Sequence, residues 1–526
     1  MIQLITQSIV ELFLKLFDFL SNKRVSKIGD KPTSYALDTD DERLSASPLK
    51  SLLHLHSDKS GFHLLENNID AFVARSMLID QAKYTLDLQY YSFLGDTSGK
   101  LIAKALVKAA NRGVRIRVLL DDIDTLGADE AISILNAHPS ISIRIFNPFV
   151  FRGLLRYLEF IVDLSRVGRR MHNKAMIADN LLAIVGGRNI SDVYFSADPE
   201  QLFLDIDLLA VGDIVNNVSK SFDEYWNSDW AVPVDILYAR PRRIDAIKKI
   251  KRMLNKYDQQ VDQVDYLNAI QYSKLSQEVR PEHLEFSWST AELIYDRPGK
   301  INFHNLTLEE QQQNSQSTLQ QILSQAENEL IIISPYFVPG DQGMLWFKQL
   351  VDKGVKITVF TNSLAATDVT AVHAGYRLYR EALLESGVEL FELKATAYVT
   401  ERKHFKLLKP GSRTSLHAKT YIMDRRKVFI GSPNMDPRSL QLNTEMGLLI
   451  DDREMADQFV EMFTGVTDGQ NSYRLQLDKS QAHTARILWH SVEDGEEMIH
   501  KAEPDTGLFR RFKVFLFSLL PLESLL

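Results

Sequence analysis

The chain has 526 residues, of which 45% are hydrophobic and 25% are charged, and its formal net charge at pH 7 is −8. This is an ordinary globular composition with room for two or more units, each with its own hydrophobic core. Because the sequence contains no cysteine, disulfides, thiolate zinc sites and cysteine nucleophiles are excluded. The negative net charge argues against a nuclease with a basic surface, although a protein with a negative net charge can still carry local basic patches.

The N-terminal segment Ile2–Leu20 is apolar but carries a polar residue about every four positions. This period predicts an amphipathic helix, because the polar residues interrupt the apolar run of a membrane span and no signal-peptide cleavage site follows. The basic residues Lys23, Arg24 and Lys27 favour a helix in a membrane interface, and packing on the globular body is the alternative. Residues 1–66 are predicted to form this helix and a polar linker.

Helices and strands alternate from Asn67 onwards. The predicted elements are helix Ala71–Ala82, strand Thr85–Tyr91, helix Lys100–Ala110, strand Val114–Leu120, helix Ala131–Asn136 and strand Ile141–Ile145. Such alternation predicts a mostly parallel sheet covered by helices. Residues 67–237 are therefore assigned to a first α/β domain.

This domain contains a motif, Met171–Asn189, that occurs again in the chain at Leu416–Asn434. Each copy has a His, a Lys two residues later, an Asp five residues beyond the Lys, a Gly seven further on and an Asn three after that. The residues of the two copies are His172, Lys174, Asp179, Gly186 and Asn189, and His417, Lys419, Asp424, Gly431 and Asn434. Every pair is 245 positions apart (417 − 172 = 245), which indicates a duplication.

Each motif predicts a buried strand, a tight turn and a second buried strand, because two short apolar runs flank the Asp. The His and the Lys share one face of the extended chain, since they are two residues apart. The second strand delivers the Asn from a turn that contains glycine. Imidazole, ammonium and carboxamide groups at one spot are typical of a phosphate-binding site.

The elements before the second motif repeat those before the first. They are a helix around Leu319–Gln325, strand Leu330–Ser334, helix Leu345–Val351, strand Val355–Thr361, helix Tyr376–Leu384 and strand Val388–Leu393. Residues 301–475 are therefore predicted to form a second α/β domain. Two such domains facing each other across a pseudo-two-fold axis would bring both His/Lys pairs into a single cleft. We thus expect a two-lobed α/β protein with two mixed, mostly parallel sheets flanked by helices and one active site at the seam.

Basic segments lie between and beside these domains. Residues 238–300 are predicted to be a helical connector, with eight Lys or Arg and one Asp in Ala239–Lys256; a solvated helix or contact with anionic lipid head groups would explain them equally well. Phe149–Arg170 and Lys394–Arg413 mix basic with apolar residues just before each motif. This mixture suits an amphiphile with an anionic head, and it makes Arg170 and Arg413 candidate substrate-binding residues.

The C-terminal region, 476–526, is predicted to be a tail that ends in the apolar segment Gly507–Leu526. The apolar run is too short to span a bilayer and is broken by Pro521. With Arg510, Arg511 and Lys513 beside it, an interfacial anchor is favoured over a core helix.

The doubled motif, HxKx4D followed by GGxN or GSxN, resembles the phospholipase D superfamily. The phrases at Leu86–Gly99, Ile333–Asp341 and Thr361–Tyr376 are similar to bacterial cardiolipin synthases, most of all those of the C-type branch. The resemblance extends from about Phe72 to about Ile450. It implies an enzyme with the duplicated phospholipase D-like fold.

The resemblance also implies a mechanism without metal or other cofactor. One His attacks phosphorus to give a phosphohistidine, and the other protonates the leaving alcohol and then deprotonates the incoming one. By analogy His172 is the nucleophile and His417 the acid/base, although the symmetry of the motifs alone does not choose between them. The remaining motif residues would hold the non-bridging phosphate oxygens, and these are Lys174, Lys419, Asn189 and Asn434.

Each His needs a carboxylate on its Nδ1 to fix the tautomer. The family places one a little over twenty residues after each motif, which implies Asp205 and Glu445, with Asp207 as the competitor of Asp205. The motif aspartates Asp179 and Asp424 lie an odd number of residues from the Lys. They face away from it on a continuous strand, so a structural role in the turn is expected.

Other candidates are weaker. The spaced trio His54, His56 and His63 lacks a fourth ligand, so no metal site is predicted. His373 and Tyr336 are candidate substrate-binding residues by their place in the family phrases. Packing in the core is the alternative for both, as it is for the other aromatic residues at strand ends, Tyr90, Tyr91 and Phe337.

The resulting hypothesis is a phosphatidyltransferase that makes cardiolipin, with phosphatidylglycerol as acceptor and phosphatidylethanolamine or phosphatidylglycerol as donor. We expect a peripheral protein of the bacterial cytoplasmic membrane whose partners are phospholipids and the membrane surface, without nucleic acid; the sequence indicates no obligate protein partner. A phospholipase D hydrolase with the same site is the nearest alternative. A nuclease is less favoured, and a catalytically inactive membrane scaffold ranks last because both motifs are complete.

Overall fold

A computed structural model describes residues 31–38, 40–45, 47–238, 245, 248–249, 252, 264–277, 284–305, 314–397, 412–480 and 486–519. The predicted N-terminal helix Ile2–Leu20 and its basic cluster lie outside these ranges. The same holds for most of the predicted basic helix Ala239–Lys256, for 398–411 of the basic segment Lys394–Arg413, and for 520–526 at the C-terminal end.

Twenty strands lie in the described part of the chain. They are β1 (Ser60–Leu65), β2 (Thr85–Tyr90), β3 (Arg115–Asp121), β4 (Ile141–Phe146), β5 (Ala175–Ala178), β6 (Leu182–Gly186), β7 (Gln201–Leu204), β8 (Asp207–Val211), β9 (Ala231–Pro233), β10 (Ser287–Tyr295), β11 (Glu329–Ile333), β12 (Lys356–Asn362), β13 (Glu389–Leu393), β14 (Arg413–Leu416), β15 (Thr420–Met423), β16 (Lys427–Gly431), β17 (Met446–Asp451), β18 (Ser472–Asp478), β19 (Arg486–Glu493) and β20 (Glu496–His500).

Helices pack on both faces of these strands. The α-helices are α1 (Pro48–Leu55), α2 (Asn68–Gln81), α3 (Thr97–Asn111), α4 (Asp129–Asn136), α5 (Glu159–Val162), α6 (Leu164–Val167), α7 (Asp213–Asn227), α8 (Val234–Leu237), α9 (Val264–Gln271), α10 (Lys274–Gln277), α11 (Ser315–Leu323), α12 (Gly340–Asp352), α13 (Thr370–Arg377), α14 (Arg380–Glu385), α15 (Pro437–Gln441), α16 (Arg453–Val466) and α17 (Leu508–Ser518), and short 3₁₀ helices lie at Glu42–Leu44, Gly153–Leu158, Asp192–Tyr194 and Pro298–Asn305. Several helices begin a few residues earlier than predicted because side chains cap them, as Asn67 does for α2 by accepting from Ile69 N and Asp70 N.

The two lobes have the same strand pairing, as the predicted duplication requires. In the first lobe β2, β3 and β4 pair in parallel, and the neighbouring β5, β6, β8 and β1 pair antiparallel in that order. In the second lobe β11, β12 and β13 are the parallel trio, and β15, β16, β17 and β10 follow antiparallel. The mixed sheets and their helical layers are confirmed.

The prediction that the sheets are mostly parallel is wrong, because only the central trio of each lobe is parallel. Each motif forms an antiparallel hairpin, β5–β6 or β15–β16, in which two residues with positive φ reverse the chain. Those residues are Asp179 and Asn180 in the first lobe (φ 53° and 52°) and Asp424 and Arg425 in the second (φ 52° and 49°). Such residues make a tight turn that the alternation of helices and strands does not reveal.

Three predicted boundaries also differ from the structure. Strand β1 lies in the predicted linker, β10 lies in the predicted helical connector, and β19 and β20 lie in the predicted tail. β1 and β10 pair with each other across the lobes (Gly61 with Trp288), so they join the two sheets edge to edge. β1 and β10 need partners distant in the sequence, which local patterns do not supply.

The faces of the two sheets that meet share one apolar core. Its members come from both motif hairpins, for example Ile177 and Val185 from the first lobe and Ile422 and Ile430 from the second, each 1% exposed. The lobes are therefore packed as tightly as a domain interior, which fixes the position of one motif against the other. Among the described residues, no helix combines the length and the apolar character that crossing a membrane requires.

Candidate active site

The backbone before each motif histidine pairs with the opposite lobe. His172 N donates to Thr444 O at 2.8 Å, and Thr444 N donates to Arg170 O at 2.9 Å. In the equivalent arrangement at the second motif, β14 pairs in parallel with β7, and His417 N donates to Leu204 O at 2.7 Å. Both histidines are thereby placed at the seam, beside the segment that carries the other lobe's carboxylate.

The two carboxylates are exchanged between the lobes. Glu445 Oε2 of the second lobe lies 2.8 Å from His172 Nδ1, and Asp205 Oδ2 of the first lobe lies 2.5 Å from His417 Nδ1. Both carboxylates are buried, so each holds the Nδ1 proton of its histidine and leaves Nε2 as the reactive nitrogen. The structure thus brings Asp205 and Glu445 to the histidines, but in a crossed pairing that the sequence does not indicate.

Asp207, the alternative candidate to Asp205, forms ion pairs with two buried arginines. Its Oδ2 accepts from Arg75 Nη2 at 2.9 Å and from Arg188 Nη1 at 3.3 Å, and its Oδ1 accepts from Arg188 N at 3.2 Å. Because Asp207 makes no hydrogen bond to a histidine within the described part of the chain, it acts as an internal counter-ion for these arginines.

The carboxylates differ in what supports them. Glu445 accepts from Ser432 Oγ and from Ser439 Oγ. Gly187 occupies the position in the first lobe that Ser432 occupies in the second, and a Cβ there would lie 2.2 Å from Asp205 Oδ1. The GG of one motif and the GS of the other therefore fit different carboxylates, and Gly187 gives Asp205 the space to reach His417.

The variant Gly187→Ala is expected to lower the turnover of labelled phosphatidylglycerol, the acceptor predicted from the sequence, by about 10²-fold or more, because Asp205 must move away from His417 Nδ1 and the imidazole loses its fixed tautomer. Initial rates measured on folded protein would test this. Gly95→Ala is the matched control, since a Cβ at Gly95 meets no atom within 4 Å. Equal rates for wild type and Gly187→Ala would contradict the expectation.

The motif lysines are buried beside the histidines. Lys174 Nζ donates to His172 O at 2.5 Å, and Lys419 Nζ lies 2.9 Å from Nδ1 and 3.2 Å from Nε2 of His417. An ammonium nearly equidistant from both ring nitrogens lies over the ring and not along either lone pair, so Asp205 remains the partner of the Nδ1 proton. Burial is the main cause that lowers the pKa of Lys174 to about 7 and that of Lys419 to about 8.

The surroundings of both histidines favour the neutral imidazole. Burial, with Lys174 close by, lowers the pKa of His172 to about 4, although Glu445 acts in the opposite direction. Burial and the ammonium groups of Lys419 and Lys174 also hold the pKa of His417 well below its usual range. A neutral His172 has a free lone pair on Nε2, and an arriving phosphodiester would offset the cationic surroundings of His417 with its negative charge.

Aromatic rings enclose the histidines. Tyr91 meets His172 edge to face at 4.9 Å between centroids, and Tyr336, its counterpart 245 residues later, meets His417 in the same way at 6.5 Å. Phe203 stacks on His417 at 5.3 Å, and the Tyr194 hydroxyl lies 3.3 Å from His417 Nε2. Neither Phe203 nor Tyr194 was predicted from the sequence. The one available signal was position, since Tyr194 follows Asn189 by five residues as Ser439 follows Asn434.

The two motif asparagines lie in the same cleft but are held differently. Asn189 Oδ1 accepts from Ser92 N at 3.2 Å, and its Nδ2 donates to Tyr194 Oη at 3.1 Å. The backbone N of Asn434 donates to Ser439 Oγ at 3.1 Å, and no described residue bonds its buried Oδ1. Contact of these amides with a phosphate remains a prediction.

The motif aspartates hold the start of a neighbouring strand. The Asp179 carboxylate accepts from the backbone N of Lys83, Tyr84 and Thr85 at 2.7–2.8 Å. Asp424 accepts in the same way from residues 327–329. In each lobe the hairpin turn is thereby tied to the parallel trio, in line with the structural role proposed for these aspartates.

The variant Asp179→Ala is expected to reduce the free energy of unfolding by about 2–4 kcal/mol, because three backbone donors lose a charged acceptor and alanine disfavours positive φ. Chemical denaturation would measure the change, while the activity per folded molecule should stay within about twofold of wild type. A selective loss of activity without destabilisation would instead assign Asp179 to the chemistry.

The four predicted substrate-binding residues lie in very different places. Tyr336 lies in the cleft, where its hydroxyl donates to Asp368 at 2.8 Å. Arg170 is 0% exposed and is held by Asp121, Val167 O and Asn147 O, and His373 is 2% exposed beneath Glu503. Both side chains are held by carboxylates, and contact of either with substrate remains a prediction. Arg413 is exposed, and its contact with substrate remains a prediction.

Comparisons with known proteins agree with this geometry. The family model described as "Cardiolipin synthase, PLD-like domain" matches residues 76–226 and 319–467. The chain is 40% identical to cardiolipin synthase C of Escherichia coli K12, over 91% of this chain and 99% of that protein, and 25% identical to cardiolipin synthase B of the same strain, over 77% and 79%.

A solved structure of phosphatidylserine synthase from Haemophilus influenzae Rd KW20 shares the fold, with a TM-score of 0.55 and 12% identity over 91% of this chain and all of the other. The predicted resemblance, the duplicated fold and the assignment as an enzyme are therefore confirmed. The chain belongs to the cardiolipin synthase family with the phospholipase D-like domain.

Proposed function

We propose that this enzyme transfers a phosphatidyl group between phospholipids and so makes cardiolipin. The observation that carries the proposal is the crossed pair of buried His–carboxylate contacts, His172 with Glu445 and His417 with Asp205, at one seam between two lysines. This arrangement supplies one nucleophilic and one acid/base imidazole for a phosphodiester, together with cationic groups for its oxygens.

In the first half-reaction Nε2 of His172 attacks phosphorus. The bond from phosphorus to the leaving oxygen breaks, and that oxygen takes the bonding electrons and a proton from His417 Nε2, which takes up this proton from solvent as the anionic phosphodiester binds. In the second half-reaction the hydroxyl of phosphatidylglycerol gives its proton to His417 Nε2 while its oxygen attacks phosphorus, and the electrons of the P–N bond return to His172. Lys174 and Lys419 would bind the non-bridging oxygens in both steps.

Transfer is favoured over hydrolysis by the enclosure of the site. His172 and His417 are only 7% and 6% exposed, and aromatic rings cover both. Little room is left for water beside a phosphohistidine, whereas a lipid hydroxyl brings its own apolar chain into the cleft.

The C-terminal helix α17 supports a membrane surface as the partner. One face packs on α13 through Val514, while six apolar residues of α17 and its C-terminal flank are exposed: Leu508, Phe509, Phe512, Phe515, Leu516 and Leu519. Arg510 Nη2 donates to Thr367 O at 2.7 Å, next to Asp368, the partner of Tyr336 at the cleft. The exposed apolar face therefore borders the entrance to the site.

Basic residues on and near this face match anionic lipid. Lys513 is exposed on the helix. Arg413 lies near Arg510, since its charge is the second cause, after burial, that lowers the pKa of Arg510. An apolar helix face rimmed with cations is typical of interfacial binding, so we infer a peripheral protein of the bacterial cytoplasmic membrane that takes its lipid substrates directly from the bilayer.

The double variant Phe509→Ser/Phe512→Ser is expected to lose about tenfold or more of its affinity for vesicles of phosphatidylglycerol and phosphatidylethanolamine, because two exposed rings no longer enter the interface. Co-sedimentation would measure it. Leu267→Ser/Tyr272→Ser, which removes exposed apolar residues of α9 and its end, is the matched control. Unchanged vesicle binding, or tight binding to DNA by the wild type, would contradict a membrane partner.

The test of the reaction uses membranes containing the wild-type enzyme, labelled phosphatidylglycerol and varied phosphatidylethanolamine, with lipid products resolved by mass spectrometry. Labelled cardiolipin is the expected product, and a yield that rises with phosphatidylethanolamine would identify that lipid as the donor. Phosphatidic acid without cardiolipin would overturn the proposal in favour of the hydrolase.

A further inference from the structure

The two reactive nitrogens have unequal surroundings, although the motifs that carry them are duplicates. Nε2 of His417 lies 3.3 Å from the hydroxyl of Tyr194. Within the described ranges, no side chain or backbone group makes a hydrogen bond to Nε2 of His172. Part of the difference comes from Lys419, whose Nζ lies 3.2 Å from Nε2 of His417. The other part comes from a tyrosine at the position that Ser439 occupies in the second lobe, where the serine hydroxyl donates to Glu445 instead.

The direction of this hydrogen bond follows from the other contacts. Asn189 Nδ2 donates to the Tyr194 oxygen at 3.1 Å, so the phenolic proton is free to point at His417. The Nδ1 proton of His417 is held by Asp205, which leaves a lone pair on Nε2. Tyr194 is therefore the donor and Nε2 of His417 is the acceptor.

The tyrosine is fixed in this orientation. It is 6% exposed, and its ring meets the rings of both Phe203 and His417 edge to face at 5.0 Å. The 3₁₀ helix that carries it, Asp192–Tyr194, is tied to the start of α3. Asp192 accepts there from Thr97 N and Ser98 N, and its own N donates to Asp96.

We propose that Tyr194 is a positioning residue that makes the two histidines unequal, by holding its hydroxyl at His417 Nε2 so that this nitrogen is presented to an oxygen and only His172 attacks phosphorus. The inference rests on the proposed phosphatidyl transfer and deepens it. When a lipid binds, its leaving or attacking oxygen would take the place that the hydroxyl occupies beside Nε2, so Tyr194 also marks where protons enter and leave His417.

The electrostatic surroundings agree with this role. Burial, followed by the charge of Asp205, raises the pKa of Tyr194 well above its usual value of 10, so the residue stays a phenol and a donor. The titratable and charged groups around His417 are Asp205, Lys419, Lys174, His172, Arg188, Tyr194 and Tyr336. A donor to the neutral imidazole stabilises that form, so loss of the hydroxyl should raise the pKa of His417.

The experiment compares wild type with Tyr194→Phe in the full chain. Selectively ¹³C-labelled histidine gives the pKa of His417 by NMR, with the signal assigned through His417→Gln. The covalent adduct formed with radiolabelled phosphatidylglycerol is mapped by proteolysis and mass spectrometry to the peptide of His172 or of His417. Tyr376→Phe, at a buried tyrosine packed against Phe337 and His373, is the matched control.

We expect the wild type and Tyr376→Phe to carry the adduct on His172 alone. In Tyr194→Phe the pKa of His417 should rise by about one unit, a tenfold change in its protonation equilibrium, and part of the adduct should appear on His417. An unchanged pKa with label only on His172, or a wild type labelled on His417, would overturn the inference. A wild type that forms neither adduct nor cardiolipin would instead overturn the proposed function.

Discussion

Replacement of His172 by alanine is expected to lower cardiolipin formation by about 10⁵-fold or more and to remove the covalent lipid adduct, because no other group is placed to attack phosphorus. Replacement of His417 should lower overall turnover by a similar factor but have a different signature. A phosphatidyl ester of nitrophenol needs no acid to release its leaving group, so His417→Ala should form the adduct from it and then accumulate the adduct, since no base activates the acceptor.

Single-turnover labelling with that ester, followed by peptide mapping, distinguishes the two variants. His54→Ala is the matched control, because His54 is exposed on α1 and lies in neither motif. An adduct that persists in His172→Ala and vanishes in His417→Ala would reverse the assignment of nucleophile and acid/base.

Removal of the negative charge from either carboxylate is expected to lower turnover by about 10³–10⁴-fold, because an amide no longer holds the Nδ1 proton and the imidazole adopts the wrong tautomer. The crossed pairing predicts which half of the chemistry each change affects. Glu445→Gln should block attack by His172, whereas Asp205→Asn should impair only the proton transfers of His417. The nitrophenyl ester should therefore restore adduct formation in Asp205→Asn and not in Glu445→Gln.

Rapid-quench measurement of the adduct would show this difference. Asp457→Asn and Glu454→Gln, at exposed carboxylates of α16, control for the change of charge. If the ester rescued Glu445→Gln and not Asp205→Asn, each carboxylate would serve the histidine of its own lobe, and the crossed arrangement would have no catalytic meaning.

Features of this protein that depend on a few neighbouring residues can be predicted from the sequence, whereas contacts between distant segments cannot. The sequence predicts the doubled motif at a spacing of 245, with His and Lys on one face of an extended segment. It does so because the side-chain period of a strand and the residue preferences of a turn act over a few residues. The same local logic places Asp179 in the turn, where its positive φ and three backbone donors are found.

Local sequence patterns do not predict contacts between segments that are distant in the chain. Arg170 and His373 are compatible with substrate binding by their position in the chain, yet the fold buries Arg170 against Asp121 and His373 against Glu503. The strand β10 also lies in a stretch predicted as helical, because its partners β1 and β17 are more than a hundred residues away on either side.

The sequence by itself determined the duplication and the doubled set of His, Lys and Asn, since these follow from residue types at fixed local spacing, whereas Asp205 and Glu445 were implied by the family resemblance. Only the tertiary structure decided that Glu445 serves a histidine 273 residues away and Asp205 one 212 residues away, and that Tyr194 makes the two histidines unequal. The physical reason is the shared core between the lobes, which fixes both motifs at one seam through packing that no local pattern encodes.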